Sequence, residues 1–149
     1  MATNFKGTEK EARALDVYIK LIRASESLSS RINSILDKKG LTISQFGVLD
    51  VLYNLGPLSQ KDLGKKILRS GGNITMVIDN LEKQSFVERE RSQEDRRFFI
   101  IHLTKKGKKF FAKIFPIFLD SVVKEFSVLS NKEQIEFQRM CKLIGLKEN

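Results

Sequence analysis

The chain has 149 residues, with 27 Lys and Arg against 18 Asp and Glu, for a net charge of +9. That length allows one domain with a sizeable core, and that charge suits a polyanionic partner. A single cysteine and a single histidine exclude an internal disulfide, a cysteine-based metal cluster and most histidine-dependent catalytic triads. The charge is uneven: residues 61–109 hold 13 of the basic and 7 of the acidic side chains, so two thirds of the excess lies in one third of the chain. No apolar run reaches the length of a membrane span, and MATNFKGTEKEARALD lacks the apolar centre of a secretion signal, so the expected location is a reducing cytoplasm.

Residues 1–7 read as a loose arm. Thr8 with Glu11 three residues on is a capping box, and it opens a helix expected to reach about Lys38, with Gly40 as its stop. Ala14, Leu21, Leu28 and Ile35 recur at sevens, and Leu15, Tyr18, Ile22, Ile32 and Leu36 widen the stripe. A helix of about 30 residues is about 45 Å long, and its broad apolar face predicts contact beyond its own lobe. Thr42 with Gln45 starts a second helix whose buried face carries Phe46, Leu49, Leu52 and Tyr53, and Gly56-Pro57 ends it. Ser59 caps a short third helix, with Asp62 in its first turn and Leu63 and Ile67 facing inward.

Arg69-Ser70-Gly71-Gly72 then reads as a turn, followed by a helix from about Gly72 to Gln84. Ile74, Val77, Ile78 and Leu81 form one clean apolar stripe. The opposite face shows Asn73, Thr75, Met76, Asp79, Asn80 and Lys83. Small polar groups of this kind bond base edges, and Met76 or the Thr75 methyl suits a thymine methyl. Phe86–Arg89 and Phe98–Leu103 read as paired strands around a polar loop, Arg91 to Arg97, whose arginines suit the electronegative minor groove. His102 reads as a strand residue rather than a ligand. Thr104 caps the next helix, where Lys105, Lys106, Lys108 and Lys109 oppose the helix dipole and Pro116 predicts a kink. Ser130 with Glu133 opens the last helix, with Phe137, Met140, Cys141 and Ile144 on one face. The apolar excess of the first and last helices points to a dimer interface.

This order resembles the MarR family of bacterial transcription regulators over nearly the whole chain. The sharpest likeness is Asp95-Arg96-Arg97 followed by a strand ending Leu103-Thr104-Lys105-Lys106-Gly107, with Val77-Ile78-Asp79-Asn80-Leu81-Glu82-Lys83 as a second. The resemblance implies a mainly α fold with a small β wing, a winged helix-turn-helix with flanking dimerisation helices. Residues 1–149 would form one domain, with 42–104 as the DNA-binding lobe and 8–38 with 105–147 as the dimerisation lobe. It implies a homodimer on double-stranded DNA, at a pseudo-palindromic operator. Ser70, Gly71, Asn73, Thr75, Met76 and Asn80 would lie at or near the major groove, and Arg97 at the minor groove with Asp95 orienting it. Arg91 and Arg96 are candidate phosphate contacts, with Lys83 and Ser59 weaker ones. Ser85 departs from the glycine the family usually places where this helix ends.

The implied activity is repression of transcription, released by a small aromatic or phenolic effector. Ile22, Phe46, Tyr53 and Phe111 are candidate pocket residues, with ordinary core packing as their plainer role. Two other readings stand beside this one. A winged-helix protein-interaction module without sequence-specific DNA binding would leave the arginine-tipped loop without a purpose. A redox-responsive regulator would act through Cys141, although oxidant-sensing members of the family use a cysteine nearer the N-terminus. No nucleophile–base spacing, paired carboxylates, phosphate loop or metal cluster is visible, so the sequence predicts neither an enzyme nor a cofactor.

Overall fold

The computed structural model describes residues 4–67 and 73–147. In chain order the elements are α1 (Glu9–Asp37), α2 (Ile43–Leu55), β1 (Leu58–Ser59), α3 (Gln60–Lys66), α4 (Ile74–Lys83), β2 (Val87–Arg91), β3 (Phe99–Leu103), α5 (Lys105–Phe126) and α6 (Asn131–Gly145). All three expected capping boxes form. Thr8, Thr42 and Ser130 each accept from the backbone three residues on, and Glu11, Gln45 and Glu133 accept in return from the cap backbone N–H. Those bonds to Thr8 and Ser130 hold the Glu11 and Glu133 carboxyls below the usual carboxylate range.

The sheet has three antiparallel strands in the order β1-β3-β2, one more than the sequence reading. Leu58 pairs with Ile101 and Ser59 with Ile100, so the chain forms a short strand before Ser59 caps α3. Strand β2 begins one residue later than expected and extends to Arg91, which pairs with Phe99. On the far side of β3, His102 lies across from Glu88, and its Nε2 sits 3.1 Å from Glu90. Pro116 lies within α5, which continues unbroken from Lys105 to Phe126.

The core joins α1, α2, α3, α4 and the sheet to the first half of α5. Leu36, Val48, Leu49, Leu63, Ile78, Leu81 and Ile101 are fully buried, with Phe111 and Ile114 closing it from α5. The apolar stripe of α4 behaves as its spacing requires: Ile78 and Leu81 are sealed, and Ile74 and Val77 pack against the cluster. The terminal helices differ. Helix α6 has no buried residue, and α1 is buried only at Ile32 and Leu36, near its end. Among the described residues, no helix is long and apolar enough to cross a membrane.

Candidate nucleic-acid interface

Helix α4 presents the polar face read from the sequence. Asn73 is its N-cap, and its side chain accepts from the Thr75 N–H at 3.0 Å. That bond uses the Asn73 amide oxygen and leaves its N–H groups to face outward. Thr75, Asn80 and Lys83 are exposed, and so is Met76, at 61%. Ser70 and Gly71 lie outside the described residues, as does Gly72, the expected helix start.

The wing loop is held by its own charges. The Arg97 guanidinium donates to both carboxylate oxygens of Asp95, at 2.7 to 3.2 Å, and the Arg97 backbone N–H donates to the same group at 3.0 Å. These bonds hold the Asp95 carboxyl below the usual range and push Arg97 further up. Arg97 remains 84% exposed, with unused N–H groups. Arg91 donates to the Arg96 carbonyl at 2.7 Å and lies over the Phe99 ring, so it braces the loop from inside. Arg96 is exposed. Ser59 spends its hydroxyl on the cap of α3, accepting from the Asp62 N–H and donating to the Asp62 carboxylate. A groove of about 250 Å³, lined by Gln60, Lys61, Ile74, Arg97, Phe98 and Phe99, separates the wing tip from the start of α4.

Sequence reasoning missed Arg89. It lies on β2 with its side chain 16% exposed and turned toward α4. It donates to the Asp79 carboxylate, to Glu82 at 3.3 Å, to the Thr75 carbonyl at 3.2 Å and to the Gln60 side chain at 3.3 Å. Its backbone N–H donates to Glu82 as well. Gln60 in turn donates to the Thr75 hydroxyl at 3.0 Å. Asp79, read from the sequence as part of the outward polar face, is therefore spent on this clamp. The signal was present in the strand period: Val87 is buried, so Arg89, two residues on, faces the same way.

Helix α4 ends on Ser85 at φ 61, the left-handed region. Phe86 N–H donates to the Leu81 carbonyl and Ser85 N–H to that of Glu82, the bond pair of a Schellman motif. A serine there costs more than glycine, and three bonds from two residues, Thr104 and Lys106, hold it. Thr104 donates its hydroxyl to the Ser85 carbonyl at 2.6 Å, Lys106 donates to the Gln84 carbonyl at 2.8 Å, and Thr104 N–H donates to Phe86. The same Thr104 hydroxyl caps α5 by accepting from Gly107 N–H. A Cβ at Gly107 would lie 2.1 Å from the Phe86 carbonyl oxygen, so only glycine fits.

Three of the four candidate pocket residues come together. Phe46 and Phe111 are buried with ring centroids 5.5 Å apart, and Tyr53, half-exposed rather than buried, meets Phe111 tilted, with centroids 4.9 Å apart. Ile22 is exposed on α1. Asp50, one turn from Phe46, has its carboxyl pushed up by burial, opposed by a hydrogen bond from the Asn54 amide. Cys141 is exposed and lines an apolar groove of about 620 Å³ between α5 and α6. Among the described residues, no group of three or more His, Cys, Asp and Glu is placed to hold a metal ion.

The MarR family model matches residues 41–98, from the start of α2 to the wing tip. The HTH-type transcriptional regulator YkoM of Bacillus subtilis is 37% identical over 98% of this chain and 94% of its own length. The chain belongs to the MarR family. The regulator MhqR of Bacillus subtilis is 35% identical over 90% of this chain and 92% of its own length. Among solved structures, that of Bordetella bronchiseptica BpsR, which concerns regulation of DNA binding by 6-hydroxynicotinic acid, superimposes with a TM-score of 0.80 at 21% identity, over 89% of this chain and 94% of that one. The MarR chain is thus a DNA-binding transcriptional regulator and not an enzyme.

Proposed function

We propose that the protein acts as a homodimer that binds a pseudo-palindromic operator and represses transcription until a small aromatic effector releases it. Residues 42–104 are the DNA-reading lobe, and 8–38 with 105–147 the dimerising lobe. The observation that carries the DNA reading is the groove between α4 and Arg97. It separates an exposed base-reading face from an exposed arginine, as a helix in the major groove and a wing in the adjacent minor groove require of the phosphate strand between them. Asn73, Thr75, Met76 and Asn80 read bases, Arg97 enters the minor groove, and Arg96 and Lys83 meet phosphates. Arg91 spends one N–H on the Arg96 carbonyl and keeps the others for phosphate, whereas Ser59 acts on helix geometry, because its hydroxyl proton is engaged by Asp62.

The dimer is supported by the apolar residues left outside on α1, α5 and α6, Val17, Tyr18, Leu119, Val123, Ile135 and Ile144 among them. The effector is supported by the contiguous Phe46, Tyr53 and Phe111 rings and by the BpsR precedent. The test is Arg97→Ala on a site selected from random DNA. Operator affinity is expected to fall about 10- to 100-fold with the melting temperature and the dimer mass unchanged. Unaltered affinity at physiological salt would sink the wing assignment.

A further inference from the structure

We infer that Lys61 is a phosphate anchor: it holds the DNA strand that runs between α4 and the wing, and it adds affinity without sequence preference. This inference rests on the reading that α4 lies in the major groove and Arg97 in the adjacent minor groove. Two grooves flank the exposed Phe98 ring, and Lys61, exposed on α3, lines both. Their charges differ. The groove toward α4 carries Lys61 and Arg97 and, among the described residues, no carboxylate. Residues 68–72, which lie outside the described ones, add none by sequence. The groove on the other side, of about 400 Å³, sets Lys61 and Lys65 against Asp62, Glu94 and Asp95. A phosphate is repelled by that acidic wall and attracted to the side without one.

Within the favoured groove the two cations are not equal. Arg97 shares its charge with Asp95, bonded at 2.7 Å. Lys61 forms no ion pair among the described residues, so its charge is left for the strand. Its backbone is held in place beside α4: Leu63 is sealed in the core, and Gln60, the preceding residue, is bonded to both Arg89 and Thr75. The side chain itself is a flexible stem ending in a compact charge with three donors. That chemistry suits a phosphate oxygen and carries no base preference.

Salt titration of DNA binding by the full-length protein tests it, on a site selected from random DNA. Lys61→Gln removes one phosphate contact from each protomer. The slope of log affinity against log salt should become shallower by about 0.9 per contact, or about 1.8 for the homodimer. Affinity should fall by the same factor on the selected site and on unrelated DNA, with the selected motif unchanged. Lys61→Arg should keep the wild-type slope. Lys65→Gln makes the same change of charge in the acid-lined groove and should move the slope by less than half as much. Lys61 is exposed, so the melting temperature of Lys61→Gln should match the wild type. An unchanged slope in Lys61→Gln, an equal loss in Lys65→Gln, or a changed motif in Lys61→Gln overturns the proposal. If the wild type binds DNA without salt dependence, or Arg97→Ala binds the site as the wild type does, the placement of α4 and the wing fails and the anchor with it. If Arg97→Ala weakens binding while Lys61→Gln keeps the slope, the placement stands and only the anchor falls.

Discussion

The winged-helix segment and the terminal helices treat apolar surface in opposite ways. From β1 to β3, Leu63, Ile78, Leu81 and Ile101 are sealed completely, while helix α6 buries none of its residues and leaves Ile135 68% and Leu143 62% exposed. Polar groups differ in the same sense. Around α4 they are bonded across elements, through Arg89, Gln60, Thr104 and Lys106. On α6 they stay nearer in sequence, from Arg139 to Glu136 three residues away to Gln134 donating to the Phe126 carbonyl eight residues away. The first segment is locked into the core it shares with α2 and α5. The second holds an exposed apolar surface, which the proposed homodimer would cover with the same surface of a second copy.

This contrast can be broken from either side. The largest effect is expected from Ile144→Glu combined with Ile135→Glu, which puts charge on two opposite, exposed sides of α6. Light scattering should report a monomer, and operator affinity should fall by at least about 100-fold, since two half-sites no longer bind as one unit. A dimer that survives unchanged would place the interface elsewhere. Gly107→Ala is next. Its Cβ would strike the Phe86 carbonyl, which is backbone and cannot swing aside, so denaturant unfolding should show a loss of about 1–3 kcal/mol. Ser85→Gly should go the other way, gaining about 1 kcal/mol by relieving the left-handed serine. No gain would mean that the Thr104 and Lys106 bonds already compensate the strain.

The smallest effect is on the wing in acid. The Asp95 carboxyl is held below its ordinary value, so its clasp on Arg97 is complete above that value and is lost as pH falls through the depressed one. A carboxyl titration followed by NMR should place the Asp95 midpoint below the ordinary aspartate value, and Arg97→Ala should restore it.

Much of this fold was legible in the sequence, because caps and apolar stripes are local. Thr8, Thr42, Ser59, Thr104 and Ser130 all cap where their spacing put them. What escaped was long-range pairing. Strand β1 has only two residues, too few to show alternation, and exists because β3 offers it a free edge. Asp79 reads as solvent-facing on a helical wheel and stays half-exposed, and only the arrival of β2 gives it Arg89 as a partner. The wing residues Asp95 and Arg97 were legible because their contact spans two positions. Arg89 was not, since its partners lie 7 to 29 residues away.

The Thr104 hydroxyl has a mechanical meaning. One oxygen donates its proton to the end of α4 and accepts from the start of α5, so the two helices meet at a common pivot. Helix α5 runs 22 residues, about 33 Å, from that pivot. Helix α4 runs 10 residues, about 15 Å, from the same point. Their lengths stand at roughly two to one. Were the two helices to turn as one rigid body about that point, a displacement at the far end of α5 would reach the Asn73 end of α4 reduced by about half.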